Sequence, residues 1–318
     1  MRKVDVWPLL TPESQAVSLK SRELYAAVRD LPEHPIAAAR AAYLVERAHW
    51  NGFPAPVAKV EDLSTETGHG RVKLRLYHPA PAEQRPLLVF LHGGGYILGN
   101  LDTHDRVQRL LALESGWAVL SVDYALAPEH RFPTQILQIV GVVDRLTQIL
   151  AGRNVDLSKG FALGGDSAGA NLSMGTGYEL RSQGKALPRG LLLFYGGFGL
   201  KDGPARRLYG GELDGLGERE LEMYYSAYRG KPEDAVDPRH DSLRGELAGL
   251  PPTHLIAVKL DPLCDDSVAL AEAMQVAGVP VTLSIYEGVL HGFLHYSAVE
   301  PRAMQAIREG AAFLRGLG

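Results

Sequence analysis

Five stretches of the chain are nearly continuous apolar runs: PLLVFLHG (86–93), WAVLSVDY (117–124), GFALGG (160–165), GLLLFYG (190–196) and THLIAVKL (253–260). A strand with one wet face alternates polar and apolar residues; a strand covered on both faces does not. The runs therefore predict parallel strands buried on both sides. Helical patterns separate them, at about 103–115, 133–151, 168–183, 265–277 and 301–316. Pro301, after Glu300, suits a first helical position. Strand and helix in alternation predict a mostly parallel sheet packed between helices. RVKLRLY (71–77) and VTLSIYEG (281–288) alternate instead. The first reads as a half-exposed, antiparallel strand near a sheet edge.

Two regions fall outside this alternation. Residues 11–50 read as two helices, with Thr11-Pro12-Glu13 as a cap and first turn and IAAARAAYLVERAHW (36–50) as a strong helix former. Residues 203–245 read as a second helical insertion. Both are expected over one end of the sheet, as a cap on a single domain spanning 1–318. Leu216, Leu221, Met223 and Tyr224 are available to face inward. A hydrophobic fraction of 46% over 318 residues supports one large core. The net charge of −4 argues against nucleic acid and anionic membrane as partners. Cys264 is the single cysteine, so neither an intrachain disulfide nor a thiolate metal site is expected. The first 15 residues lack the apolar run of a signal peptide, and no stretch is long enough to span a membrane. These features lead us to expect a cytoplasmic protein.

The chemistry concentrates where strands end. LGGDSAGAN (163–171) carries Gly-x-Ser-x-Gly between a strand and a helix, the context in which Ser167 becomes an exposed nucleophile. The helix that follows offers free N–H groups to a developing oxyanion. Asp166 is expected to hold this turn by hydrogen bonds rather than to titrate. LHGGGYILGN (91–100) places His92, Gly93, Gly94 and Gly95 after another strand. Three glycines in a row expose bare backbone N–H groups, and no phosphate-loop lysine follows. A serine nucleophile needs a base and an orienting acid, in the chain order Ser, acid, His. Four histidines follow Ser167. His240 lies in a charged insertion and His254 begins a strand. His291 sits in the loop after the last strand, with His295 four residues on as the alternative base. Asp261 ends a strand, whereas Asp265 and Asp266 open the next helix. The reading favours Ser167, Asp261 and His291. Cys264 has no activating base, and Glu129 and His130 read as organisers of a turn. Tyr195 and Phe198 are open between lining an acyl pocket and packing; Met223, Tyr224, Tyr225 and Tyr228 read as cap core before substrate wall.

HGGG, GDSAG, DPLCDD and HGF, in this order, resemble the hormone-sensitive-lipase-like group of the α/β-hydrolases, as does VDYALAPEHRFP (122–133). GNLDTHDR (99–106), RRLYGGELDGL (206–216) and HGFLHYS (291–297) resemble the acetyl esterases of enteric bacteria within it. One departure is Ala125, where the group usually has arginine. The resemblance implies an eight-stranded α/β-hydrolase fold with a helical cap. It implies Ser167 as nucleophile, Asp261 as orienter and His291 as base, with Gly93, Gly94 and Ala168 as oxyanion donors. The implied substrates are small esters with short acyl chains, acetyl to hexanoyl, cleaved without metal or organic cofactor. An amidase on the same machinery and a non-catalytic ligand-binding protein are the alternatives. A monomer or homodimer is expected, and one chain leaves a protein partner at the cap open.

Overall fold

The five apolar runs become central strands because each presents large side chains to both faces. The computed structural model describes residues 3–318 apart from Asp30, Pro54, Ala82 and Glu212. Its strands are β1 (Lys59–Thr67), β2 (Gly70–His78), β3 (Leu87–Leu91), β4 (Ala118–Asp123), β5 (Phe161–Asp166), β6 (Leu191–Phe194), β7 (Thr253–Val258) and β8 (Val281–Tyr286). They form one sheet in the order β1-β2-β4-β3-β5-β6-β7-β8. β2 runs antiparallel to both neighbours; the strands from β4 and β3 to β8 pair in parallel.

The helices are α1 (Pro12–Ala27), α2 (Pro35–Asn51), α3 (Asp105–Ser115), α4 (Thr134–Val143), α5 (Leu146–Ile149), α6 (Ala168–Ser182), α7 (Pro204–Leu208), α8 (Glu218–Tyr228), α9 (Cys264–Val276) and α10 (Pro301–Gly316). Alternate residues of one strand serve two cores. Val89 and Leu91 join Ile136 of α4, Leu172 of α6 and Leu270 of α9. Leu88 and Phe90 join Val107 of α3 and Ile307 of α10 on the other face. Burying one leucine or phenylalanine fully contributes about 1.5–3 kcal/mol, so each strand is fixed from both sides.

Two expectations need correction. β1 was not among the expected strands. Its sequence, KVEDLSTET, buries no residue; it is an edge strand held by its ladder to β2 rather than by apolar burial. The insertion 203–245 is less helical than its composition suggests. It holds the short α7, α8 and single 3₁₀ turns at Pro232–Val236 and Ser242–Arg244. Between α7 and α8 the chain reads YGGELDGLG, too rich in glycine to continue a helix.

Candidate active site

Ser167 stands between the end of β5 and the start of α6, with φ 52° and ψ −119°. A positive φ at a serine is strained by about 1–3 kcal/mol and must be held by its surroundings. Here Ser167 N–H donates to Phe194 O at 2.8 Å. The turn also needs space behind it. A Cβ on Gly169 would lie 2.0 Å from Leu91 O, so only glycine allows α6 this close to β3.

The sheet brings Asp261 and His291 to the same place. Asp261 follows β7 and is fully buried. Its Oδ1 accepts from Leu263 N–H at 2.8 Å, and its Oδ2 lies 2.6 Å from His291 Nδ1. His291 Nε2 lies 2.8 Å from Ser167 Oγ. A carboxylate only accepts, so Nδ1 carries the proton and Nε2 is free to accept from the serine hydroxyl. Burial opposes charge on His291, but the Asp261 carboxylate outweighs it by charge and hydrogen bond. The net shift is upward from 6.5.

The other candidates stand elsewhere. His295 is buried with its ring edge-on to His104, centroids 4.4 Å apart. Burial, then Arg47 and the neighbouring histidines, hold it well below the ordinary value, so it stays neutral. Asp265 accepts from Ala205 N–H. Asp266 accepts from Phe198, Gly199 and Leu200 N–H and pairs with Arg206, tying α9 to the insertion. His240 accepts from Arg229, and His254 Nδ1 meets Thr282 Oγ1. Cys264 is buried, which pushes its thiol up to about 11 and leaves it inert.

The glycine loop departs from expectation at Gly93. Its N–H donates to Asp166 Oδ1 at 2.8 Å, turned into the protein. It is therefore spent on shaping the loop and is withdrawn from the donor set. Gly94 and Gly95 follow with φ +119° and +58°, and Ala168 opens α6 with an N–H that has no helical partner. His92 supports the loop from below. Its Nδ1 lies 2.8 Å from Gly93 O, its ring stacks on Tyr124, and burial lowers its pKa to about 3. Asp166 is a hydrogen-bonding hub, as read. Burial resists its ionisation, but His104 at 3.1 Å and the Gly93 N–H keep it below 3.8.

A cavity of about 270 Å³ opens onto Ser167 and His291. Residues from α1, α2, the insertion and the loop after β8 line it. Leu216, Leu221 and Tyr224 face it as expected. Met223 does not: it is 38% exposed and points outward. Tyr195 and Phe198 pack in the core, Tyr195 edge-on to His291 at 4.8 Å. Tyr225 lines the cavity, whereas Tyr228 is core, stacked on Tyr96 at 3.8 Å.

Four supporting residues went unread. His104 lies beneath Asp166. Arg40 of α2 reaches Ile97 O, Ala127 O and both carboxylate oxygens of Glu129, whose pKa falls to about 2. Glu129 thus ties α2 to the turn instead of organising the turn alone. Glu300 accepts from the Thr11 and Ser14 hydroxyls, and its place before a proline was its only sign in the sequence. Arg47 lines the cavity. His104, Asp166 and His295 bring ligand-type atoms within 4.8 Å of one another. Asp166 Oδ1 is already engaged by His104 and Gly93, and the Arg47 charge bears on His295, so the donor set suits a hydrogen-bond network better than a cation.

Comparison with known proteins supplies the family. Residues 88–295 match a family described by its alpha/beta hydrolase fold. An acetyl esterase of Salmonella schwarzengrund is 40% identical over 277 residues, 85% of this chain and 84% of its own. A hyperthermophilic esterase from Pyrobaculum calidifontis superposes with a TM-score of 0.88 at 30% identity, covering 97% of this chain and 99% of its own. A thermostable carboxylesterase from a metagenomic library gives 0.83 at 27% identity, covering 89% and 98%. The chain belongs to the α/β-hydrolase family, in its hormone-sensitive-lipase-like group. It is a carboxylic ester hydrolase. No helix among the described residues is long and apolar enough to cross a membrane.

Proposed function

We propose that the protein hydrolyses small esters with short acyl chains through a Ser167–His291–Asp261 triad and an acyl-enzyme. The observation that carries this is the unbroken line of contacts from Asp261 Oδ2 to His291 Nδ1 and from His291 Nε2 to Ser167 Oγ, at 2.6 and 2.8 Å. Ser167 Oγ attacks the carbonyl carbon as its proton passes to His291 Nε2. The oxyanion is received by the N–H groups of Gly94, Gly95 and Ala168. One such donor is worth about 2.7–4 kcal/mol in a related chemistry. The tetrahedral species collapses as His291 hands its proton to the departing alkoxide. Water then gives a proton to His291 and adds to the acyl carbon, and Ser167 leaves with that proton.

The short-acyl preference rests on the walls. The two N-terminal helices and the 203–245 insertion act as a cap, and a cavity of about 270 Å³ lies at the small end of ligand sites. Each methylene that fits contributes about 0.8 kcal/mol, until the chain meets a wall. The acetyl esterase relatives fit this reading. A series of p-nitrophenyl esters from acetate to dodecanoate tests it. We expect kcat/KM to peak between acetyl and hexanoyl and to decline by decanoyl. Ser167→Ala should cost on the order of 10⁶ in kcat, the scale seen for a serine hydrolase nucleophile. A folded Ser167→Ala protein that keeps more than a few per cent of activity would refute the assignment.

A further inference from the structure

Arg47 lies on α2 and lines the same cavity as Ser167 and His291, yet is only 8% exposed. Its Nε stands 3.2 Å from Glu46 Oε2, without hydrogen-bond geometry. Nε and Nη1 are both enclosed and unpartnered among the described residues. Nη2 lies 3.9 Å from where a side chain would begin on Gly292, the residue after His291. Glu46 Oε1 accepts from Ser21 and from the Trp50 indole, and its Oε2, beside Arg47 Nε, has no hydrogen-bond partner. The rings of Tyr43 and Tyr296 lie 4.6 and 5.6 Å from the guanidinium carbon. Burial keeps both phenols neutral, so neither adds a counter-charge. The acidic residues of the cavity wall, Asp214 and Asp166, are each held by backbone N–H groups. Asp214 Oδ1 accepts from Gly211 and Leu216 N–H, and Asp166 Oδ1 from Gly93 N–H.

Arg40, about two helical turns earlier, shows what a structural arginine does on this helix: it spends its donors on backbone carbonyls and a carboxylate. Arg47 stands in the wall of a ligand cavity with two of its donors, Nε and Nη1, still without a hydrogen-bond partner. The planar guanidinium fork matches a carboxylate in shape and charge. We propose that Arg47 is a specificity residue, and that the preferred substrates are short esters bearing a carboxylate. This rests on the esterase reading and adds the substrate class to it.

Matched pairs test it. On the acyl side, p-nitrophenyl hydrogen glutarate is compared with p-nitrophenyl pentanoate. On the alcohol side, 2-acetoxypropanoate is compared with 2-acetoxypropanamide. The readout is the anionic-to-neutral ratio of kcat/KM. On at least one side we expect this ratio to fall tenfold or more in Arg47→Met, with Arg47→Lys between; tenfold is about 1.4 kcal/mol. Glu46→Gln/Arg47→Met, which leaves no unpaired buried carboxylate, serves if the single variant fails to fold. Equal ratios in wild type and variants on both sides would overturn the proposal while leaving the esterase reading intact. Should wild type cleave no ester at all, the esterase reading fails, and melting with glutarate or glutaramide decides for Arg47. A rise in Tm with glutarate alone supports the anion site; no difference overturns it.

Discussion

Asp261 and His291 were readable because each closes or follows a strand, where side chains leave the ladder and converge on Ser167. The donor role of Gly93 was misread because backbone position alone does not say where an N–H points. The side chain of Asp166, 73 residues away, decides that. Arg47 was missed because an arginine in IAAARAAYLVERAHW looks like any solvated helix charge until its burial is known. The division of labour between Asp261 and His295 can be measured. Asp261→Asn should lower kcat by about 10⁴, the cost of the wrong tautomer in a comparable triad. His295→Ala, which touches neither Ser167 nor Asp261, should cost less than tenfold; loss of all activity in that variant would make His295 the base. The pH profile follows from the raised pKa of His291. Only neutral His291 accepts the serine proton, so kcat/KM should fall as pH drops through a midpoint above the unperturbed 6.5. In Asp261→Asn the residual activity should show that acid limb moved to lower pH, because the carboxylate that raised it is gone. A flat profile from pH 5 to 8 would contradict a histidine base.

α1 and α2 announced themselves by composition, but their anchoring did not. α1 begins at Thr11, whose side chain caps Ser14 N–H while its hydroxyl donates to Glu300. Glu300 is 1% exposed and also takes the Ser14 hydroxyl, at 2.6 Å. Hydrogen bonds to a charged group contribute about 1.5–3 kcal/mol each. Ser14→Ala should therefore lower unfolding free energy by that order in urea melts, and Glu300→Gln by as much or more. α2 is fixed at the other side of the site, where Arg40 grips Ile97 O at the end of the glycine loop. Arg40→Ala should loosen that loop and reduce kcat several-fold, with the Ser167–His291 contact untouched. A variant with wild-type kcat would show that the loop holds its shape without α2. β1 escaped notice for the reason that makes it useful: a polar edge strand pairs with one neighbour and discourages another.

The sheet as a whole was the most legible part of the chain, since apolar runs on both faces admit few architectures. The walls around the cavity were the least legible, because glycine-rich loops take their shape from what they pack against. Those walls carry a prediction about substrate form. The cavity at Ser167 has a volume of about 270 Å³, a size for one dissolved ester rather than a lipid surface. Hydrolysis of tributyrin should rise smoothly through its solubility limit, without the upward break of interfacial activation. Triolein emulsion cleaved faster than a soluble short ester would instead indicate a lipase. Deleting residues 1–35 should broaden acyl acceptance or lower Tm, with Ser167, Asp261 and His291 still present.

The N-terminal segment touches the chain on both sides of His291. Thr11 N–H donates to Gly288 O, Thr11 and Ser14 bind Glu300, and Leu10 packs with Leu260 and Leu290, neighbours of Asp261 and His291. Lifting this segment to admit a larger guest would strip support from the acid and the base together. A protein lacking this support that accepts longer acyl groups is therefore expected to turn them over more slowly. The Leu213–Leu216 stretch belongs to the same unit, since Leu213 packs against the Leu10, Leu260 and Leu290 cluster and the charge of Asp214 bears on His291. Gly215→Ala, which strains a backbone held at φ +65°, should therefore lower kcat as well as Tm.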